Sequence, residues 1–325
     1  MELAPICIFS YNRPNHLQRV LEALSKNDLA SESVLYIYCD GAKPLQTEDS
    51  QELEGATNTA KRFFKGTKEE YEKYLSDIEE NRRVAHSATG FKEVHVIVRP
   101  HNVGLKDNIV GAVTEIVNQY GRIITLEDDI ITSKGFLRYM NDALEVYKDE
   151  EKVMHVSAYM WPHRWPLPET FFYVSPYPGG GWATWKRAWQ YYNDNTEELY
   201  NYWCSRWNEF GSANLRKQLE DNYNGTLRTW FIKWYAVVLK MGGTTLYPGR
   251  SLTNNIGFDD TASNCYATHK FDVKRLSNHV AVHYHKIRKC RLAENEIYAF
   301  YAGRWYNKRR RTRLINKIKS FLKLS

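Results

Sequence analysis

At 325 residues, with 14% aromatic side chains, the chain has the length to bury a full core and too many rings to be disordered. Its net charge of +7 is unevenly placed: from Arg304 onward there are nine Lys/Arg and no acid, which leaves 36 Lys/Arg against 38 Asp/Glu elsewhere and excludes a uniformly basic, nucleic-acid-coating body. Five scattered cysteines without a CxxC exclude a disulfide framework and a structural zinc site, and point to a reducing, cytoplasmic compartment.

In chain order, Ala4 to Phe9 is the first strand, Ser10–Pro14 its turn, and Leu17, Val20, Leu21 and Leu24 repeat at helical spacing behind Pro14. Val34 to Cys39 is a second strand ending in Asp40-Gly41. Residues 46–85 are polar and read as one or two surface helices. Val94 to Val98 is a third strand, followed by Arg99–Gly104 and a helix with Leu105, Ile109, Val113 and Ile116 on one face.

The fourth strand, from Arg122, runs straight into Glu127-Asp128-Asp129. Three adjacent carboxylates repel one another and are costly near a core unless a cation or hydrogen-bond donors compensate. Two readings compete: a solvated acidic turn capping the helix that starts near Phe136, or a divalent-metal site. The acids close a buried strand rather than lie in a polar loop, which favours the metal, and all-oxygen ligands favour Mn²⁺ or Mg²⁺ over zinc. A helix with Phe136, Met140 and Leu144 and a strand from Val153 to Ala158 follow. This alternation predicts a doubly wound parallel α/β sheet, and ligands bind such sheets beyond the strands' carboxyl ends. Ser10–Arg13, Asp40-Gly41, His101–Gly104 and the three acids all lie there. Neither GxGxxG nor GxxxxGK[ST] occurs, so a bound nucleotide would need its phosphates neutralised by a metal.

After residue 160 the composition changes. Nine of the ten tryptophans fall between Trp161 and Trp234, and aromatic faces suit sugar rings as well as irregular cores. The segment Pro178-Gly179-Gly180-Gly181-Trp182 delivers a ring on flexible backbone. Thr229 to Lys240 is a helix, and Tyr247 to Ser263 a long polar loop expected to act as a lid. Past Arg304, Leu314, Ile315, Ile318, Phe321 and Leu322 form the apolar stripe of a basic amphipathic helix. Such a helix suits an anionic membrane surface, and the stripe favours this, or a partner protein, over nucleic acid. No apolar run reaches the roughly 18 residues that span a bilayer, and no signal peptide is expected.

Laid out in this order, the motifs resemble those of GT-A glycosyltransferases, in particular bacterial sugar transferases similar to the N-acetylglucosaminyltransferase I type, over roughly residues 4–285. The carriers are Phe9–Pro14, Asp40-Gly41, His101–Asn108, Leu126–Asp129, Gly181-Trp182-Ala183-Thr184-Trp185, and Tyr247-Pro248 through Asn254–Gly257. The resemblance implies a Rossmann-like GT-A domain with a nucleotide-sugar half (1–160), an acceptor half (161–285) and a basic tail (286–325). It implies an inverting, metal-dependent transfer from a UDP-sugar, N-acetylglucosamine being the donor sugar of relatives, to a surface-glycan or lipid-linked acceptor at the inner membrane face. Arg13 and Asp40 would hold the uridine, with Asn102, Gly104, Leu105, Lys106 and Asn108 lining the same pocket. Glu127 and Asp128 would contact sugar or ribose, and Asp129 would ligate Mn²⁺, with His283 a further candidate. Gly181 and Trp182 would close over the donor, and Trp185, Trp230, Asn254 and Asn255 would face the acceptor.

One departure matters. Relatives carry a basic aspartate at the start of the helix following Thr229-Trp230, where this chain has Phe231. Phenylalanine cannot take a proton, so either Asp259 or Asp260 substitutes, or the chain is an impaired member that binds nucleotide-sugar or glycan, or scaffolds an assembly. A nucleotidyltransferase is the weakest alternative, because Ser10–Pro14 is no glycine-rich basic loop.

Overall fold

The computed structural model describes residues 2–47, 63–259 and 268–303. Among these, eight strands form one sheet: β1 (Ile6–Ser10), β2 (Val34–Cys39), β3 (Glu93–Val98), β4 (Arg122–Glu127), β6 (Val153–Ser157), β7 (Thr170–Tyr173), β8 (Trp182–Trp185) and β9 (Thr244–Pro248), in the order β3-β2-β1-β4-β8-β6-β9-β7. The β3-β2-β1-β4 half is parallel, as the alternation predicts. The other half is not all parallel: β8 runs antiparallel to both β4 and β6, and β7 antiparallel to β9. This corrects the all-parallel expectation. No helix separates β6, β7 and β8, so without a crossover the chain reverses direction there, and helices return only between β8 and β9.

Strand residues alternate between two cores. Ile6, Ile8, Ile124 and Leu126 face α1 (Pro14–Leu24) and α4 (Phe136–Val146), while Cys7, Phe9 and Ile123 face α3 (Leu105–Tyr120) and α9 (Phe231–Lys240). Both faces being covered explains why these strands are apolar throughout. In α3, Ile109, Val113 and Ile116 are buried, whereas Leu105, in the first turn, is exposed. The polar stretch after residue 46 yields α2 (Lys68–His86), opened by a capping box between Thr67 and Glu70.

Two expectations need correcting. The supposed lid is fastened: Tyr247 and Pro248 complete β9, and β10 (Thr253–Asn255) pairs antiparallel with β5 (Ile130–Thr132). The segment 286–325 is not all tail, because α10 (Arg291–Tyr301) buries Ala293, Ile297 and Phe300, one face at helical spacing, against Tyr159, Trp161 and Tyr247. The amphipathic stretch past Arg304 lies outside the described residues, as do Asp260 and Cys265. Cys7, Cys39, Cys204 and Cys290 are free, and no helix among the described residues is long and apolar enough to cross a membrane.

The aromatic second half is mostly core. His155 is fully buried, stacked on Trp182 with centroids 5.2 Å apart, and its Nδ1 accepts from Trp234 Nε1 at 3.2 Å. Burial pushes its pKa from 6.5 down to about 3 against a raising contribution from the Tyr177 backbone. The unfolded chain therefore binds a proton near pH 6.5 that the folded chain refuses until about pH 3, so stability present above pH 6.5 is lost as pH falls. The expected slope is about 1.4 kcal/mol per pH unit from this group. Urea midpoints between pH 4.5 and 7 should fall accordingly, and less steeply in His155→Gln.

Candidate active site at the carboxyl ends of the strands

β1 and β4 are neighbours, so their carboxyl ends set the turn before α1 beside the acidic turn before β5, with α1 and α4 on one face of the sheet and α3 on the other. Strand ends of this kind form the crevice where α/β sheets take ligands. Backbone joins its two walls: Asp128 N donates to Phe9 O at 3.0 Å.

The three acids differ in setting. Asp128 turns inward, its Oδ2 3.1 Å from Ser10 Oγ and 3.2 Å from Tyr11 N, and Ser10 Oγ also lies 2.9 Å from the fully buried Asn81 Oδ1. Asp129 presents Oδ2 to Arg13 Nη1 at 3.1 Å, while its Oδ1 is buried with no hydrogen-bond partner. Glu127 makes no side-chain hydrogen bond among the described residues. Burial, then the charges of Asp129 and Asp128, push Glu127 up to about 8; burial and Asp129 push Asp128 up to about 7. Burial raises Asp129 as well, against the pull of Arg13. The crevice therefore concentrates more negative charge than its surroundings support, and a cation would relieve it.

Arg13 organises the opposite wall. Its Nη2 reaches Asp259 Oδ1 at 3.0 Å and Gly257 O at 3.2 Å, and Asp259 Oδ2 lies 2.9 Å from His16 Nε2. The β10–β5 ladder delivers this wall, setting Asn255 opposite Ile130, and Ile256 N donates to Asp129 O at 2.8 Å. A Cβ at 257 would stand 1.9 Å from Asp129 Oδ2, so any larger residue there displaces that carboxylate. Gly179–Gly181 close the rim, with Asn255 Nδ2 donating to Gly179 O at 3.4 Å and Thr253 Oγ1 to Gly180 O at 2.5 Å.

A second cluster stands one strand along. Asp40 is buried and holds the β3–α3 loop, accepting from Gly41 N and Val103 N on one oxygen, and from Asn102 Nδ2 and Gly104 N on the other, at 2.9–3.1 Å. Asn108 Oδ1 accepts from Arg99 Nε at 3.3 Å. Lys106 is buried and bonds Asp194 at 2.6 Å; Asp194 bonds Lys233, in the first turn of α9, at the same distance. Lys106 is therefore committed within the protein, which corrects its placement as a ligand contact.

The structure brings together Arg13, Asp128, Asp129, Asp259, Asn255 and the glycine rim; Asn254, beside Asn255 in β10, donates no ring or charge to it and accepts from Val273 N at 2.8 Å. It does not bring in the tryptophans. Trp182, Trp185 and Trp230 are 3%, 4% and 3% exposed, Trp182 stacking on Trp230 at 5.1 Å and Trp185 Nε1 donating to Leu144 O. Large rings are worth most in the core, so they offer no face to a donor or acceptor, which corrects all three. His283 is also misplaced: its carbonyl accepts from Tyr147 at the far end of α4, about 16 Å along that helix from Phe136. Contributors that the sequence did not single out are His16, Asn81 and Asp194.

Among the described residues no three His, Cys, Asp or Glu side chains gather as a metal cluster. A hard divalent cation that takes one carboxylate, with phosphate and water oxygens as its other ligands, fits the unpartnered Oδ1 of Asp129.

No family model matches the sequence, and no curated protein matches it. Among solved structures, the fold is similar to the galactosyltransferase LgtC in complex with donor and acceptor sugar analogs (TM-score 0.37, 8% identity, covering 74% of this chain and 72% of that one). It is also similar to an active-site mutant of LgtC (0.38, 9%, the same coverage) and to TarS of S. aureus (0.25, 14%, 51% of this chain and 24% of that one). At such scores the functional reading rests on the site's own geometry.

Proposed function

We propose that this protein is a metal-dependent, inverting GT-A glycosyltransferase that moves a sugar from a UDP-sugar to a hydroxyl of a surface-glycan or lipid-linked acceptor. The observation that carries the reading is Asp129: a carboxylate at the carboxyl end of a central strand, one oxygen steered by Arg13 and the other buried without a partner. That is what a site completed by a divalent cation and the donor's diphosphate requires. When bound, the cation supplies Lewis-acid stabilisation of the leaving diphosphate.

The chain's own residues supply position. Arg13 fixes Asp129 and Asp259 relative to each other, and Asp128 is locked by Ser10 and Tyr11, so the carboxylates are set before substrate arrives. The β10–β5 ladder holds the Gly257 segment over Asp129 and limits water. Asp259, with His16 on its second oxygen, is the candidate to take the acceptor proton.

A non-catalytic binding member is the second reading, and Phe231 favours it. Phe231 packs beside Trp230 and Tyr235 in the first turn of α9, and Asp194, the carboxylate paired with that turn's Lys233, has a pKa that two lysines hold down against burial, which makes it a poor base. UDP release from a panel of UDP-sugars, with and without Mn²⁺, separates the two. Metal-dependent release is expected; a gain in Phe231→Asp, by up to the roughly 10²–10⁴-fold that a general base contributes, would mean that the native base is missing and that Asp259 does not serve as one. Nucleotide binding without turnover, with lipid-linked acceptors supplied, selects the binding member; absence of nucleotide binding removes both.

A further inference from the structure

Two adjoining clefts open beside Asp259, and lysine and arginine are confined to one of them. The inner one, of about 440 Å³, is lined by Asn255, Ile256, Phe258 and Asp259; the outer, of about 510 Å³, by Trp161, Arg250, Lys274 and Arg275. His269 and Asp272 line both, so the two clefts adjoin, the inner one on the Asp259 side. Each lobe is large enough for at least one sugar ring.

The outer lobe carries three fixed cations against one carboxylate, Asp272, which is held 2.8 Å from His269 Nδ1. Arg250 leans on Glu169 at 3.2 Å in an exposed pair, which contributes little. Lys274 and Arg275 are exposed and make no ion pair among the described residues. Cations gathered without partners in a concave wall raise the local concentration of anions, and Arg presents a fork that matches carboxylate or phosphate oxygens. The inner lobe, bounded by Asp259, which Arg13 and His16 already hold, has no lysine or arginine among its lining residues.

We propose that these clefts together take an acidic acceptor: a glycan bearing phosphate or carboxylate groups, its anionic part in the outer lobe and its reactive hydroxyl in the inner one. The confinement of lysine and arginine to the outer lobe sets the direction in which the acceptor lies. This deepens the transferase reading and rests on it for the word acceptor, although the cleft's preference for anions stands on its own residues.

The test is calorimetric titration of the full chain with three probes: a glycerol-phosphate oligomer, a galacturonate oligomer and neutral chitotetraose. At low salt, at least one anionic probe is expected to bind about tenfold or more tighter than chitotetraose, with a preference that shrinks as salt screens the charges. Lys274→Glu with Arg275→Glu should abolish that preference, and Arg275→Lys should keep part of it. The phosphate arm against the uronate arm tells which anion the lobe takes. Equal binding of neutral and anionic probes, or a preference unchanged in the double variant, overturns the proposal. UDP release by the same preparations is scored separately. Turnover with no anion preference removes the acidic acceptor and keeps the transferase, whereas anion binding at this lobe without nucleotide binding removes the acceptor role.

Discussion

Asp129→Asn is expected to remove Mn²⁺-dependent UDP release by roughly 10²–10³-fold, the range seen when a preorganised electrostatic contact to developing charge is lost, without loss of fold. The amide keeps an oxygen for Arg13 and a volume that the Gly257 segment tolerates. It discards the charge that the metal would meet. It also discards a charge that raises the pKa values of Glu127 and Asp128, so in metal-free buffer near pH 8 the variant should unfold at an equal or higher temperature than wild type. Mn²⁺ should raise the wild-type melting temperature and leave the variant's unchanged. Lost activity accompanied by a lower melting temperature in metal-free buffer would instead assign Asp129 to architecture.

The second large effect concerns stability. Lys106 and Lys233 stand in the first turns of α3 and α9, 8% and 6% exposed at the side chain, at helix ends whose dipoles disfavour positive charge. The carboxylate of Asp194 meets both. Asp194→Ala leaves two buried ammonium groups without it, Lys106 retaining the exposed Asp107 at 2.8 Å, and is expected to cost roughly 3 kcal/mol, since removing one partner of a buried pair strands the other. Adding Lys106→Met and Lys233→Met should restore most of that loss, because apolar groups of similar volume tolerate the site. Chemical-denaturation midpoints of the single and triple variants decide it; a triple variant no more stable than Asp194→Ala alone would rule out the stranded-charge explanation.

What the sequence discloses follows from the range of the interactions. β1, β2 and β3 are apolar runs closed by turn residues, and β2 falls on Val34–Cys39 as read. The helix faces of α1, α3 and α4 follow from apolar spacing, and the acids' place at a strand end from the run before them. The antiparallel strands β7 and β8 were hidden because aromatic sequence satisfies strand, loop and core equally well. The tryptophans looked like sugar platforms for the same reason, and only the packing of Trp182 between His155 and Trp230 shows them to be core. His16, Asn81 and Asp194 were illegible for a different reason: their partners lie 39 to 243 residues away, as with Asp194 and Lys233 or His16 and Asp259, and no local pattern encodes such a meeting. Asn81 sits in a polar helix that reads as surface, yet one buried contact with Ser10 places it behind the site.

The antiparallel β8 has a consequence for how the protein is made. It lies between β4 and β6 and hydrogen-bonds to both, although both precede it in the chain. While the polypeptide is being synthesised, β4 and β6 therefore emerge with raw, apolar edges facing an empty slot, and stay so until Trp182–Trp185 has left the ribosome. Unpaired edges of this kind recruit strands from other chains. A fragment ending near residue 160 would carry the complete acidic motif and yet remain an unfinished sheet, so cutting the chain where its composition changes is expected to leave no folding unit.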